Sequence, residues 1–156
     1  MSEVELLLVG SGNRATIYTL HFLSEDESEL ERFYTKFRAD AEYNEDLMRI
    51  VAFIGKIADN GALERYFRPE GKYNDGVCAL PTVKSKLRLY CLRLSDAILI
   101  IGNGGQKTTR TYGEDKTLSG YVMTLQKFEK ILREEERKGT VKITATEIVT
   151  DQTFEL

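Results

Sequence analysis

The sequence predicts an α+β fold, a helical hairpin and a further helix packed on a mainly antiparallel β-sheet, in the order ββ-αα-βββ-α-β. Three observations predict it. Two runs of strand-forming residues flank a glycine turn near the start of the chain. Two stretches with apolar residues at spacings of three and four follow back to back. A strong hairpin, Lys86 to Leu94 and Ala97 to Gly102 about a Ser95-Asp96 turn, then precedes a third helical stretch.

Val4 to Val9 is a short apolar strand, and Gly10-Ser11-Gly12-Asn13 is turn chemistry. Ala15 to Leu23, ATIYTLHFL, is β-branched and aromatic and pairs back as a second strand. The Gly-Ser-Gly is a hairpin turn rather than a phosphate loop, because neither G-x-x-x-x-G-K-[ST] nor G-x-G-x-x-G accompanies it. Ser24-Glu25-Asp26-Glu27 fits a capping box that opens a helix, and Leu30, Phe33, Phe37 and Ala41 form its buried stripe. Asn44 fits the cap of a second helix, whose apolar face is Leu47, Ile50, Val51, Ile54, Ile57 and Ala58 and whose stop is Asn60-Gly61. Arg65 to Asp75, with Pro69 and Gly71, reads as a loop, and Val77 to Leu80 as a short strand ended by Pro81. After the strong hairpin, Thr117 to Lys138 is helical through Leu118, Val122, Leu125, Phe128 and Leu132, and Gly139 closes it. The tail from Thr140 holds TVKITATEIV, a strand that either completes the sheet or pairs with a second copy in a homodimer.

A chain of 156 residues is one domain, 1–156, and its 42% hydrophobic and 10% aromatic content excludes a disordered chain. No apolar run approaches the roughly 20 residues that span a bilayer. Leu6 to Val9 is too short for a secretion signal, and Glu3 and Glu5 precede it instead of bases. Cys78 and Cys91, both in strands, are then expected as reduced core thiols of a cytoplasmic protein. The one histidine, His21, reads as a satisfied strand residue. No zinc set, Ser-His-Asp arrangement or cofactor motif is suggested.

Charge is unevenly distributed. Arg65 to Tyr112 carries nine bases against three acids, whereas Ser24 to Leu47 carries nine acids against three bases, in a chain of net charge −3. Either the basic segment faces an anionic partner or the two segments neutralise each other in the fold. Basic residues stand before the hairpin (Lys84, Lys86), on it (Arg88, Arg93) and after it (Lys107, Arg110), with Tyr90 among them and Arg68 earlier in the segment. A sheet so furnished suits a phosphate backbone. Asn103-Gly104-Gly105 either lets the backbone approach a phosphate closely or is a simple hairpin exit. Arg88 has the alternative of pairing with a helix carboxylate, Tyr90 of packing in the core, and Lys84 and Lys86 of solubilising a loop.

These residues carry a resemblance. Arg88-Leu89-Tyr90 opening a strand looks like the R-[LVI]-x-[YF] strand of the RelE/HigB/ParE superfamily of bacterial toxins. Ser95-Asp96 sits at the turn before an apolar I-L-I-I strand, and Gly105-Gln106-Lys107 stands where that family has a short linker and basic residues before a helix. The order of strand, two helices and three strands is similar too. The resemblance covers about Ala15 to Leu132, with residues 1–14 and 140–156 as additions. It implies a toxin of a toxin–antitoxin pair, a metal-independent endoribonuclease that cleaves mRNA at the ribosome and is neutralised by a small antitoxin protein.

In such a reaction a ribose 2′-OH attacks its own phosphate. Fixed cations stabilise the charge that develops on the phosphoryl oxygens, while a base and an acid move protons. The resemblance gives Arg88 and Lys107 to phosphate stabilisation and Tyr112 to proton transfer or base stacking. Lys84, Lys86, Tyr90, Arg110 and Arg68 make up the RNA-binding set. The strand Val77-Cys78-Ala79-Leu80-Pro81 carries no proton-transfer group where relatives often have one, which leaves open a catalytically inactive module of the same fold that binds a protein or RNA partner. Gly104-Gly105-Gln106 also matches the GGQ tripeptide of peptide release factors, but the helices and strand order around it do not resemble that domain.

Overall fold

The computed structural model describes residues 2–70, 75–107 and 115–156. Strands β1 (Glu3–Ser11) and β2 (Thr16–Phe22) form a hairpin, followed by helices α1 (Glu29–Phe37) and α2 (Asn44–Asn60). After a 3-10 turn come β3 (Arg68–Pro69), β4 (Val77–Leu80), β5 (Leu87–Ser95) and β6 (Ile98–Gln106). Helix α3 (Lys116–Lys138) and the short strands β7 (Lys142–Ile143), β8 (Ile148–Val149) and β9 (Phe154–Glu155) complete the chain. Seven strands make one sheet in the order β3-β4-β5-β6-β2-β1-β9, and β7 and β8 pair apart from it. Every pair in the large sheet is antiparallel except β2 with β6, which run parallel over Thr16–Thr19 and Ile98–Ile101. The α+β class expected from the sequence is the class observed.

Both faces of this sheet are covered. Leu87, Leu89 and Cys91 of β5, with Leu99 and Ile101 of β6, pack against Phe33, Phe37, Leu47, Ile50, Ile54 and Ile57 of the helical hairpin. Tyr90 and Leu92 of β5, with Ile98 and Ile100 of β6, pack against Leu118, Val122, Leu125, Phe128 and Leu132 of α3. A strand buried on both sides has no polar face to show, which is why β5 and β6 read as nearly unbroken apolar runs. Cys78 and Cys91 are free thiols in these cores. No helix among the described residues is long and apolar enough to cross a membrane.

The boundaries differ from expectation for local reasons. Helix α1 opens at Ser28 rather than Ser24, because the capping box is Ser28 with Glu31: the Ser28 hydroxyl accepts from Glu31 N, and the Glu31 carboxylate accepts from Ser28 N. Asn44 does not cap α2; its side-chain amide donates instead to Arg38 O at 2.6 Å, closing the link between the helices. The expected stops are present. Gly61 ends α2, and Gly139 ends α3 in the left-handed conformation, φ 84°, that a side chain disfavours. Residues 68–69, expected in a loop, form an edge strand beside β4, a place where proline is tolerated. The tail is not one strand. Thr144 and Glu147 turn β7 back onto β8, and β9 then pairs with Glu3 and Val4 of β1, so both ends of the chain build the same sheet edge.

His21 is satisfied within the β1–β2 hairpin. It stands opposite Glu5, its Nδ1 lies 2.8 Å from Glu5 Oε1, and its Nε2 lies 2.8 Å from Glu25 O. The hydrogen bond to Glu5 raises its pKa above the ordinary value, with the Glu25 carbonyl adding to it. A raised folded pKa contributes stability that is complete below the unfolded value of about 6.5 and is lost as pH rises through the folded value. The unfolding free energy should therefore fall as pH rises above about 6.5 relative to His21→Gln, by less than about 1 kcal/mol at so accessible a pair. Urea titrations of both proteins across that range measure the difference, and parallel curves would remove the pair from the account.

Candidate active site

The start of β5 and the end of β6 bring cations together. Arg88 pairs across the ladder with Gly105, and Lys107 N extends that ladder by donating to Lys86 O at 2.8 Å. Arg68 of β3 stands opposite Ala79 of β4, which stands opposite Tyr90 of β5, two residues from Arg88. Glu70, just past β3, is anchored by its backbone N–H to Val77 O at 3.2 Å.

Arg88 is 5% exposed. Its Nη1 donates to Leu87 O at 3.0 Å and Ser85 O at 3.3 Å, so the guanidinium is bound to backbone carbonyls rather than to a helix carboxylate. Its Nε is buried without a hydrogen-bond partner. A buried donor left unmade costs about 1–3 kcal/mol, and more on a charged group. Burial lowers the Arg88 pKa from its ordinary value, and Arg68 lowers it further. Lys107 is lowered by burial first and then by Arg88 and Arg68. Burial raises the Glu70 carboxyl above the usual carboxylate range, while Lys107, Arg68 and Arg88 pull it back in that order. No direct ion pair joins Glu70 to any of these cations among the described residues. The side chains of Arg68 and Lys107 enter no ion pair among the described residues, which leaves them as donors suited to phosphoryl oxygens.

The other singled-out residues lie as follows. Tyr90 is 1% exposed and packs under α3, so its ring is core and presents no face to a base. The sheet face expected to carry RNA is covered by α3 over most of its length. Arg93 is structural: its Nε donates to Ala62 O at 2.7 Å, and it pairs with Asp96. Lys86 is exposed, and its backbone N–H donates to Asp46 Oδ2 at 2.7 Å beside the Ser85 hydroxyl, which pins the entry to β5 onto α2. Lys84 is exposed and lines a separate cleft of about 280 Å³ with Arg49, Phe53, Tyr66 and Val83. Arg110 and Tyr112 lie outside the described residues. Arg32 and Arg93 pair within their own charged segments, while the two segments meet through Asp46 at the entry to β5 and through Lys36 and Glu29 at Asn103 and Gly104.

The glycines of β6 serve packing. The strand runs on through Gln106, and an added Cβ at Gly102 or Gly105 would meet Leu125 or Leu118 of α3 at 3.1 Å. They admit a helix, not a phosphate. The Gly104-Gly105-Gln106 tripeptide is accordingly part of a strand.

Two features carry no motif of their own in the sequence. Glu70 falls in a stretch that reads as a loop, yet its backbone is held by Val77 just past β3. The second is a polar brace where the parallel pair ends. Lys36 Nζ donates to Asn103 Oδ1 at 3.0 Å, Gly104 O at 2.6 Å and Tyr121 Oη at 3.1 Å, and lies 4.9 Å from the Tyr121 ring centroid. Asn103 also donates to Glu29, which pairs with Arg32. Lys36 is exposed as a residue, yet burial around its ammonium, with help from Arg32, pushes the pKa down to about 8. Thr19, Ser28, Glu29 and Asn103, four of the five buried polar residues described, gather in this part of the fold; the fifth is Arg88. An asparagine inside an otherwise apolar strand was the available signal. The brace ties α1 and α3 to Gly104 of β6, next to the Gly105 that pairs with Arg88.

No group of side chains among the described residues has a metal-binding arrangement. The chain matches no family model, no curated protein and no solved structure.

Proposed function

We propose that this chain is a RelE/HigB-like toxin of a toxin–antitoxin pair, cleaving mRNA at the ribosome as an endoribonuclease. The reading is carried by one observation: the register sets Arg88, Lys107 and Arg68 on one face of the sheet at the β5–β6 ladder end and on β3, with Arg88 Nε buried and unpartnered. Arg88 is held by the Leu87 and Ser85 carbonyls, and a cation fixed in place stabilises a charge that appears only in the transition state. Arg88 and Lys107 stabilise the phosphoryl oxygens, and Arg68 steers the backbone in. An antitoxin neutralises the toxin by occupying or distorting this face. A second reading, a catalytically inactive module that binds a protein or RNA partner, is favoured by β4, whose four residues are all buried and carry no proton-transfer group.

The test is induced expression of the chain alone in a bacterium, beside Arg88→Ala/Lys107→Ala and Lys107→Ala. Wild type is expected to arrest translation, and the double variant to lose the arrest, with about 10²-fold or more lost in mRNA cleavage per cation removed. The Lys107→Ala protein separates a chemical loss from a folding loss, since Lys107 is not part of the core. Normal growth with folded wild-type protein accumulating would end the nuclease reading in that host and favour the binding module.

A further inference from the structure

We infer that the cleft between α2 and the β4–β5 connection binds a small carboxylic acid with an aromatic body, and that Lys84 recognises its charge. The inference does not depend on the nuclease reading, and it gives Lys84 a ligand other than RNA.

The lining is that of a ligand site. Ile50 and Phe53 stand one turn apart on α2, so both reach the same side of the helix. Ile50 and Leu80 are buried beneath the cleft. Phe53 and Tyr66 make an aromatic wall, with centroids 5.1 Å apart and ring planes at 81°. On the other side Val83 is 69% exposed, a large apolar side chain left in water at the lip of an apolar cleft. A ligand seated here would cover it, and burial of apolar area favours that. The lip is held in place: Asp46 Oδ2 accepts from Ser85 Oγ at 2.9 Å and from Lys86 N at 2.7 Å. At about 280 Å³ the cleft lies near the lower end of ligand pockets, which run from about 300 to 1,000 Å³, so its occupant is small.

The charge of the occupant follows from the polar groups around it. Asp46, Arg49 and Lys84 are the charged residues that line the cleft. Arg49 donates to Asp46 Oδ1 at 3.3 Å and to Glu45 Oε1 at 2.8 Å, so Asp46 and Arg49 already satisfy each other and their neighbours. Lys84 enters no ion pair among the described residues. One free ammonium beside an aromatic wall matches an aromatic body that carries one carboxylate. A nucleic-acid backbone, charged at every phosphate, draws on a run of cations, and this cleft offers a single free one.

The experiment is an amide-detected NMR titration of the full chain with hydrocinnamate, its uncharged amide and adenosine monophosphate, on wild type, Lys84→Met and Lys127→Met. Hydrocinnamate is expected to shift the amide signals of Ile50, Phe53, Val83, Lys84 and Ser85 along one saturable curve. The uncharged amide should bind wild type about tenfold more weakly, the worth of one charge-assisted hydrogen bond. Lys84→Met keeps the apolar stem and removes the charge. It should weaken hydrocinnamate by the same factor and leave the uncharged amide as it was. Lys127 is exposed on α3, across the sheet from the cleft, and Lys127→Met should bind as wild type does. Adenosine monophosphate should leave the cleft signals in place. Equal affinity of wild type for the acid and its amide, or an acid affinity untouched in Lys84→Met, would overturn the role of Lys84. Shifts that scatter beyond the cleft without saturating, or no shift from either hydrocinnamate or its amide, would overturn the site itself. Tighter binding of adenosine monophosphate there would replace the carboxylic acid with a nucleotide and so refute the assignment. The comparison of acid with amide is made in wild type, so it decides the matter even if a variant fails to fold.

Discussion

Gly104→Ala is expected to destabilise the fold by about 3 kcal/mol, the upper part of the range for forcing atoms into a packed site. The added methyl would collide with the Arg88 carbonyl oxygen and would lie 2.9 Å from Leu89 Cα. Both are backbone atoms of β5 and cannot rotate aside, so the strands must part where Leu89 pairs with Gly104 and Arg88 with Gly105. For a chain of this length the thermal midpoint should fall by roughly 6–12 °C. Gly102→Ala is the internal comparison. Its methyl meets only the Leu125 side chain, at 3.1–3.2 Å, which can shift a few tenths of an ångström. Calorimetry of the two variants should show the Gly104 loss as clearly the larger. Equal losses would mean that the β5–β6 pairing at Arg88 is looser than described.

Phe128→Ala is expected to cost about 3–5 kcal/mol, the range for removing a buried aromatic ring. Phe128 is completely buried on α3, and its ring meets Phe154 of β9 edge-on, with centroids 5.1 Å apart and planes at 75°. The residue therefore holds α3 against the sheet and the last strand against the first. Loss of the ring should lower the urea midpoint and also raise amide exchange at residues 154–155 more than in β5. Uniform exchange across the sheet would show that β9 does not depend on that contact.

Much of the fold was legible because local chemistry and tertiary packing agreed. The stripe Leu47, Ile50, Ile54, Ile57 and the stripe Leu118, Val122, Leu125, Phe128, Leu132 are both buried as spaced, and Gly61 and Gly139 end the helices they were expected to end. The errors came where several local solutions compete. Ser24 and Ser28 are both followed by Glu three residues on, and only the tertiary position of α1 selects the second. The site was half legible. Arg88 and Lys107 stand out as charges flanking apolar strands, whereas nothing in the sequence marks the two-residue strand, too short to carry a periodic signal, that brings Arg68 onto the same sheet face. Tyr90 misled because a polar hydroxyl beside two arginines is the same string of letters whether a helix covers it or not.

The parallel pairing of β2 with β6 has a consequence in time. Ile17 must wait for Leu99, 82 residues later in the chain, before the two halves of the sheet can join. Emerging from a ribosome at about 5–20 residues per second, the β1–β2 hairpin spends several seconds with its inner edge unpaired. Non-local pairing of this kind also slows folding, because loop closure must precede the contacts that reward it. The β5–β6 hairpin that positions Arg88 is local and forms without β2, so the cationic ladder end precedes the β2–β6 junction that closes the sheet.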